Sequence, residues 1–364
     1  MRHHLAVSEG AVAARPVVDA DRTVWERIAE TSDDAWLSHS WDWNTRIEEG
    51  VRLGMRRSLV VQYEGRVIGI FPLHLHVERR GPIARRILYS NHWSGGGLAL
   101  ANEVEPCVRK EATRIVLEAS DAQARLDRAD KLVLALPTLA RSNIARGAQG
   151  TVYAGFIDRS STALVIPVAG RAPEAIWASM EGRARTKVRK AERAGVTVTV
   201  ATGGDALTSF YPLHLATYRR TGAAPQPREL FEVLFDTPYT RTFFAEHEGR
   251  RVATVVVAFY AGRAQFFASA SEEIALHLGA NNLLQWHALQ WVHEMNFEAY
   301  EVGHVEDPIG ARDPKLQSIA RFLRSFGGEE VPSFAGERVY HRTREAAYAM
   351  LREALTRATT RWAS

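Results

Sequence analysis

Ser58-Leu-Val-Val-Gln-Tyr-Glu64-Gly65-Arg66-Val-Ile-Gly-Ile-Phe71 is an apolar run, a Glu-Gly turn and a second apolar run, the pattern of a two-stranded hairpin. Thr242-Phe-Phe-Ala-Glu-His-Glu248-Gly249-Arg250-Arg-Val-Ala-Thr-Val-Val-Val257 repeats it, with Glu-Gly-Arg again at the tip and a small residue, Gly69 or Ala253, early in the return strand. A design that recurs at this separation reads as one core used twice. Any hairpin can carry such a tip, so the reading also needs the surroundings to agree.

They agree in outline. Around the first hairpin the apolar periodicity predicts helices near 21–30 and 40–52, a long helix near 103–129 and a closing strand from Lys131 to Leu136. Around the second it predicts helices near 183–194, 205–220 and 227–236, a third strand from Arg263 to Ala270, a long helix over 279–295 and a closing strand from Ala299 to Gly303. Both halves are mixed α/β, and 364 residues with 46% apolar content suffice for two cores. The join is expected in 150–172, where Gly150, Gly155, Pro167, Gly170 and Pro173 interrupt the pattern. A strand from Glu337 to His341 and a helix from Arg344 to Arg357 follow.

Composition excludes several classes. The longest apolar run, Val252 to Tyr260, falls well short of the roughly 20 residues a membrane helix needs. Residues 1–15 carry His3, His4 and Glu9 and do not read as a signal peptide, so a cytoplasmic protein without integral membrane contact is expected. The single cysteine, Cys107, cannot form an internal disulfide and reads as a small buried hydrophobe on an amphipathic helix. The formal charge of +4 is unremarkable for this length, so only a local cluster of cations would matter for phosphate binding. No His and carboxylate pairs stand at helical ligand spacing, and no metal or redox cofactor is implied.

The element order is similar to the GNAT acyltransferase core, and two such cores in tandem resemble the Fem-type aminoacyl-ligases. Four stretches carry the likeness over nearly the whole chain. His39-Ser40-Trp41-Asp42-Trp43 resembles the family's Q-S-x-x-W helix start, with His in place of Gln. The run from Arg183 to Val198 looks like its basic helix entering a G-V-x-V strand. Leu283-Leu284-Gln285-Trp286 followed by Tyr300-Glu301-Val302-Gly303 resembles its L-L-x-W helix and Y-D-F-G strand end. Phe322-Leu323-Arg324-Ser325-Phe326-Gly327-Gly328 resembles F-K-x-x-F-G-G, with Leu323 where the family has lysine; Lys315 or Arg324 is the candidate replacement cation. The resemblance implies two tandem GNAT-like domains, each a mixed, largely antiparallel sheet flanked by helices: residues 1–158, to which 332–364 return, and residues 159–331. It also implies an aminoacyltransferase that forms an amide between an amino acid from aminoacyl-tRNA and an amine of a peptidoglycan precursor or small natural product.

Such a reaction needs no covalent enzyme intermediate. It needs positioning, stabilisation of the oxyanion and an acceptor for the proton of the attacking ammonium. Candidates for the acceptor are Glu301, His304, Glu306 and Asp307, read as a polar loop at the end of the second closing strand, where an imidazole suits the role of a general base. For phosphates the basic helix offers Arg183, Lys187 and Lys190 on one face, with Arg185 and Arg189 beside it. A solvated helix face is the competing reading, and only Glu181 and Glu192 stand near enough to compensate. Arg46 and the loop from Asn91 through His92 to Gly97 complete the candidate binding set.

Two other functions stay open. An acyl-CoA-dependent N-acyltransferase would use the same scaffold, but Arg219-Arg-Thr-Gly222-Ala-Ala224, which fits the pyrophosphate-loop string, closes a helix with Gly222 as its cap instead of opening one. The sequence from Leu276 to Asn281, where such a loop belongs, does not match it. A scaffold without catalysis that binds a nucleotide or RNA through the basic helix is the third reading.

Overall fold

The structure, a computed structural model, describes residues 11–50, 54–80, 83–90, 95–146, 155–222, 225–306 and 314–361. Its described residues divide into two compact units, one holding those within 11–145, 155–160 and 334–361, the other those within 161–333 together with Arg146.

In the first unit the expected hairpin forms between Leu59–Tyr63 and Arg66–Phe71, flanked by Ala13–Pro16 on one side and the two-residue strand Ala99–Leu100 on the other. A second sheet of six strands holds the hairpin His74–Arg80 with Ile83–Ser90, then Lys131–Ala135, then Ala335–Val339 from the chain's last part. The strand Ala335–Val339 runs antiparallel to Lys131–Ala135, and a Lys131–Glu337 ion pair joins the two. Strand His74–Arg80 escaped the sequence reading because its polar face, with His74, His76 and Glu78, leaves only Leu75 and Val77 as an apolar signal.

Cys107 corrects an expectation: it is exposed. The buried stripe of its helix, Pro106–Asp127, runs through Ala112, Val116, Ser120 and Ala124, and that spacing extrapolates back to Val108, leaving Cys107 beside the stripe.

The second unit is built on one sheet of seven strands, in the order Thr197–Ala201, Thr240–His247, Arg250–Tyr260, Arg263–Ser271, Ala299–Glu306, Ser161–Pro167 and Glu329–Ser333. The segment read as a join therefore contributes an interior strand, Ser161–Pro167. One face of the sheet, with Phe243, Val255, Val257, Tyr300 and Val302, packs against the helices Gly182–Arg193 and Ala280–Glu294. Burying each such side chain contributes roughly 1.5–3 kcal/mol. Helix Gly203–Thr221 lies against strands Arg250–Tyr260 and Arg263–Ser271 and contributes nothing to that cluster; Gly222 caps it in the left-handed region, as read. Among the described residues no helix is long and apolar enough to cross a membrane.

Candidate active site in the second unit

All neighbouring strands of the seven-stranded sheet run antiparallel except one pair. Arg263–Ser271 and Ala299–Glu306 run parallel, and they pair over three positions alone, Arg263 with Ala299, Ala264 with Tyr300 and Gln265 with Glu301. Beyond Glu301 the two strands go separate ways: Arg263–Ser271 continues along Arg250–Tyr260, and Ala299–Glu306 continues along Ser161–Pro167. The chain thus opens its own sheet at Glu301.

The strand Ala299–Glu306 is also irregular there. Opposite Val165 stands Glu301, opposite Leu164 stands Gly303 and opposite Ala163 stands His304, so Val302 is an extra residue. In a regular strand residues three apart point to opposite faces. The bulge resets this alternation and brings Glu301 and His304 together, with His304 Nε2 3.7 Å from Glu301 Oε1. Gly303 takes φ +120°, and a Cβ on it would stand 3.2 Å from Leu323 Cδ1, so the bulge requires glycine. The sequence reading placed Glu301 through Asp307 in a loop after the strand; the strand runs on to Glu306, held by pairing with Ser161–Pro167.

Glu301 is 1% exposed, whereas His304 is 48% exposed. Burial pushes the Glu301 carboxyl above its ordinary value, partly countered by the charge of His304 and a hydrogen bond with Gln265. Glu301 Oε1 has no hydrogen-bond partner. A buried carboxyl group, one oxygen of which lacks a hydrogen bond, facing a half-exposed imidazole, is an arrangement for moving a proton between solvent side and interior. On the other ring nitrogen, His304 Nδ1 lies 2.8 Å from Ser161 Oγ. The preceding residue, Tyr300, is buried and donates its hydroxyl hydrogen to Gln285 Oε1 at 2.9 Å.

The basic helix divides its cations. Its apolar stripe of Ala184, Val188 and Ala191 is buried. Arg185 donates to the carbonyls of Trp177 and Ala178, and Arg189 lies over the Trp177 ring. Arg183 pairs with Glu181 at 2.6 Å and donates to the carbonyl of Arg321. Lys187 has no ion pair among the described residues. Arg183 and Lys187 line a cavity of about 240 Å³ with Asn282, Ser318, Arg321 and Phe322. The helix packs so closely on the start of Ala280–Glu294 that a Cβ on Gly279 would stand 2.7 Å from the Lys187 carbonyl oxygen.

The remaining candidates lie apart. Lys190 is exposed in the last turn of its helix. Arg324 pairs with Glu330 at 3.1 Å, and Arg46, in the first unit, pairs with Asp42 at 2.8 Å. Leu323 is buried against Gly303, so the position resembling the family lysine is part of the core. Asn91, His92 and Asp307 lie outside the described residues, as do the side chains of Glu306 and Lys315. Sequence reasoning missed Ser161, Gln265, Asn282 and Arg321. Gln265 gave a faint signal, a polar residue inside an apolar strand; Ser161 gave none, being distant along the chain from His304.

The fold is a GNAT-like core in tandem, mixed α/β throughout. Residues 178–310 match the model of the acetyltransferase (GNAT) domain family. The crystal structure of FemX superposes with a TM-score of 0.66 at 13% identity, over 91% of this chain and 98% of that one. A tandem GNAT protein from the clavulanic acid biosynthesis pathway superposes with a TM-score of 0.52 at 13% identity, over 90% of this chain and 98% of that one. The likeness to the Fem-type architecture read from the sequence is thus met at the level of fold. The comparison with curated protein sequences gives no match.

Proposed function

We propose that the protein is an aminoacyltransferase that passes an amino acid from aminoacyl-tRNA to the amine of a cell-wall precursor or small natural product, forming an amide. The observation that carries the reading is the Glu301–His304 pair at the point where the parallel strands part. There the attacking ammonium gives its proton to His304 or Glu301, and the interior carboxylate steadies the imidazolium that results. Arg183, Lys187 and Arg321 hold the phosphates of the donor in their cavity. The test is transfer of labelled amino acid from charged tRNA to an amine acceptor, with ribonuclease as control; absence of transfer across a panel of charged tRNAs removes the reading.

A second reading, an acyl-CoA donor on the same scaffold, is favoured by the cavity itself, where Arg183 and Lys187 of the basic helix face Asn282 in the first turn of helix Ala280–Glu294. Calorimetric binding of CoA without response to charged tRNA selects it.

A further inference from the structure

We propose that the last rung of the parallel ladder, Gln265 beside Glu301, is a recognition site for a primary ammonium group, and that Gln265 selects a primary amine over a secondary amine or a hydroxyl. The inference rests on the transferase reading of the Glu301–His304 pair and names the class of acceptor that the pair serves.

Two buried side chains meet at this rung. Gln265 and Glu301 are both more than nine-tenths buried, and as register neighbours on paired strands they share a sheet face. The carboxyl group takes a hydrogen bond from the Gln265 amide. Two oxygens stay without a donor, Gln265 Oε1 and Glu301 Oε1. Buried polar atoms in native proteins are nearly always paired, so two unpaired acceptors on one rung point to a ligand that brings the hydrogens.

His304 supplies a third acceptor. Its Nδ1 lies 2.8 Å from Ser161 Oγ, and its Nε2 lies 3.7 Å from Glu301 Oε1. With Nδ1–H donating to Oγ, Nε2 turns its lone pair toward Oε1, and at that separation the two do not bond to each other. The same separation suits one nitrogen about 2.9 Å from each, donating a hydrogen to both. A primary ammonium carries three hydrogens, for Glu301 Oε1, Gln265 Oε1 and His304 Nε2. A secondary ammonium leaves one acceptor unpaired, and a hydroxyl leaves two. The positive charge also offsets the burial that pushes the Glu301 carboxyl upward. Beyond this rung the strands separate, and half-exposed His304 is the member of the set that solvent reaches, so the amine comes in past the imidazole.

Held in this way the amine is ready for direct attack. One proton passes to His304 Nε2 and from there to solvent, which leaves a neutral amine with its two remaining hydrogens on the two oxygens and its lone pair free. The nitrogen forms a bond to the acyl carbon of the donor, the bond from that carbon to the donor's oxygen or sulfur breaks, and the departing atom takes one of those two hydrogens.

The test titrates the full-length protein, labelled with nitrogen-15 in its histidines, with n-propylammonium chloride and follows the His304 ring signals by NMR, assigned through their loss in His304→Gln. Saturable shifts are the expected result, with weaker binding of N-methylpropylammonium and none of 1-propanol or tetramethylammonium over the same concentrations. Gln265→Met, which keeps the size and removes the acceptor, weakens n-propylammonium binding about tenfold to a hundredfold. Gln265→Glu, which keeps an acceptor oxygen, restores it. Unchanged melting of both variants shows that the fold persists; if Gln265→Met does not fold, the ranking of the four probes on the wild type decides. No response to n-propylammonium, an equal response to tetramethylammonium, or unchanged affinity in a folded Gln265→Met protein overturns the proposal. Saturable binding in a protein that transfers no amino acid leaves this site standing and removes the transferase reading, whereas transfer without ammonium binding does the reverse.

Discussion

The two hairpins agree residue by residue. Glu64 and Gly65 take φ of 48° and 74°, and Glu248 and Gly249 take 50° and 73°, the left-handed values that a two-residue turn between twisted strands demands. Each pair of strands slips by one residue at the corresponding place, between Val61 and Gln62 in one and between Ala245 and Glu246 in the other. Gly69 lies across from Val61 as Ala253 lies across from Ala245. The copies part beyond the hairpin. In the second unit the return strand continues into one sheet that reaches Glu301; in the first it pairs with two residues, Ala99 and Leu100, and the closing strand Lys131–Ala135 belongs to another sheet. That closing strand holds neither carboxylate nor imidazole, and its one charge, Lys131, is tied to Glu337. The duplication preserved the turn and let the closing strand diverge, so chemistry is expected from the second copy.

The sharpest break in that comparison comes from Glu301→Gln, which should lower amide formation by about a hundredfold to a thousandfold, measured as kcat with charged tRNA or acyl donor, while Val133→Ala in the first copy's closing strand should leave kcat in place. The carboxylate is the working form, so wild-type rate rises with pH through the raised Glu301 value and the variant loses that limb. Stability moves the other way. Because the folded state holds the Glu301 proton more tightly than the unfolded chain, that stabilisation is present at low pH and is lost as pH rises through the raised value. Gln keeps the neutral state, so its melting temperature should exceed the wild type's above that value and converge with it in acid. A variant less stable than wild type at every pH would contradict the burial argument.

Next in size is Gly303→Ala. The left-handed φ and the crowding against Leu323 should cost about 2 kcal/mol of stability, read as a denaturation midpoint. Activity should fall further than stability explains, since the bulge is what places Glu301 and His304 on one side. Full activity in a folded Gly303→Ala protein would separate the bulge from the site.

A smaller effect is expected at the cation cavity. Lys187→Ala and Arg321→Ala should each raise the KM for a phosphate-bearing donor about tenfold at low salt and less at high salt, with kcat little changed. Lys190→Ala, outside the cavity, is the comparison that should show no such change.

How far the sequence could be read follows the same division. Glu-Gly-Arg tips, apolar strands and the basic helix are local patterns, so the hairpins, the long helices and the helix that carries Arg183 and Lys187 are legible. The pairing that makes the site is not local. Ser161 lies in a stretch whose flanking Gly and Pro residues read as a join, and its partner strand fixes the bulge at Val302 and Gly303, which no periodicity in Glu-Val-Gly-His announces. The residues Glu301 and His304 could be named from their types; their sharing of one face could not. In the basic helix, spacing put Lys190 beside Lys187, but only packing separates cations that line a cavity from those bound to Trp177 or left in solvent.

The smallest expected effect tests the duplication itself. A Cβ added at Gly65 or at Gly249 meets nothing within 4 Å, so no packing differs between the two sites and only backbone conformation is at stake. With φ of 74° and 73°, Gly65→Ala and Gly249→Ala should each cost about 1 kcal/mol, and the two costs should agree. Hydrogen exchange at amides of each hairpin reads them separately, even if the units unfold independently. Equal costs would mean that the turns are held by the same backbone requirement and not by their different neighbours. Unequal costs would mean that one tip relaxes when its glycine is lost, and the case for a shared ancestral turn would then rest on the slipped register alone.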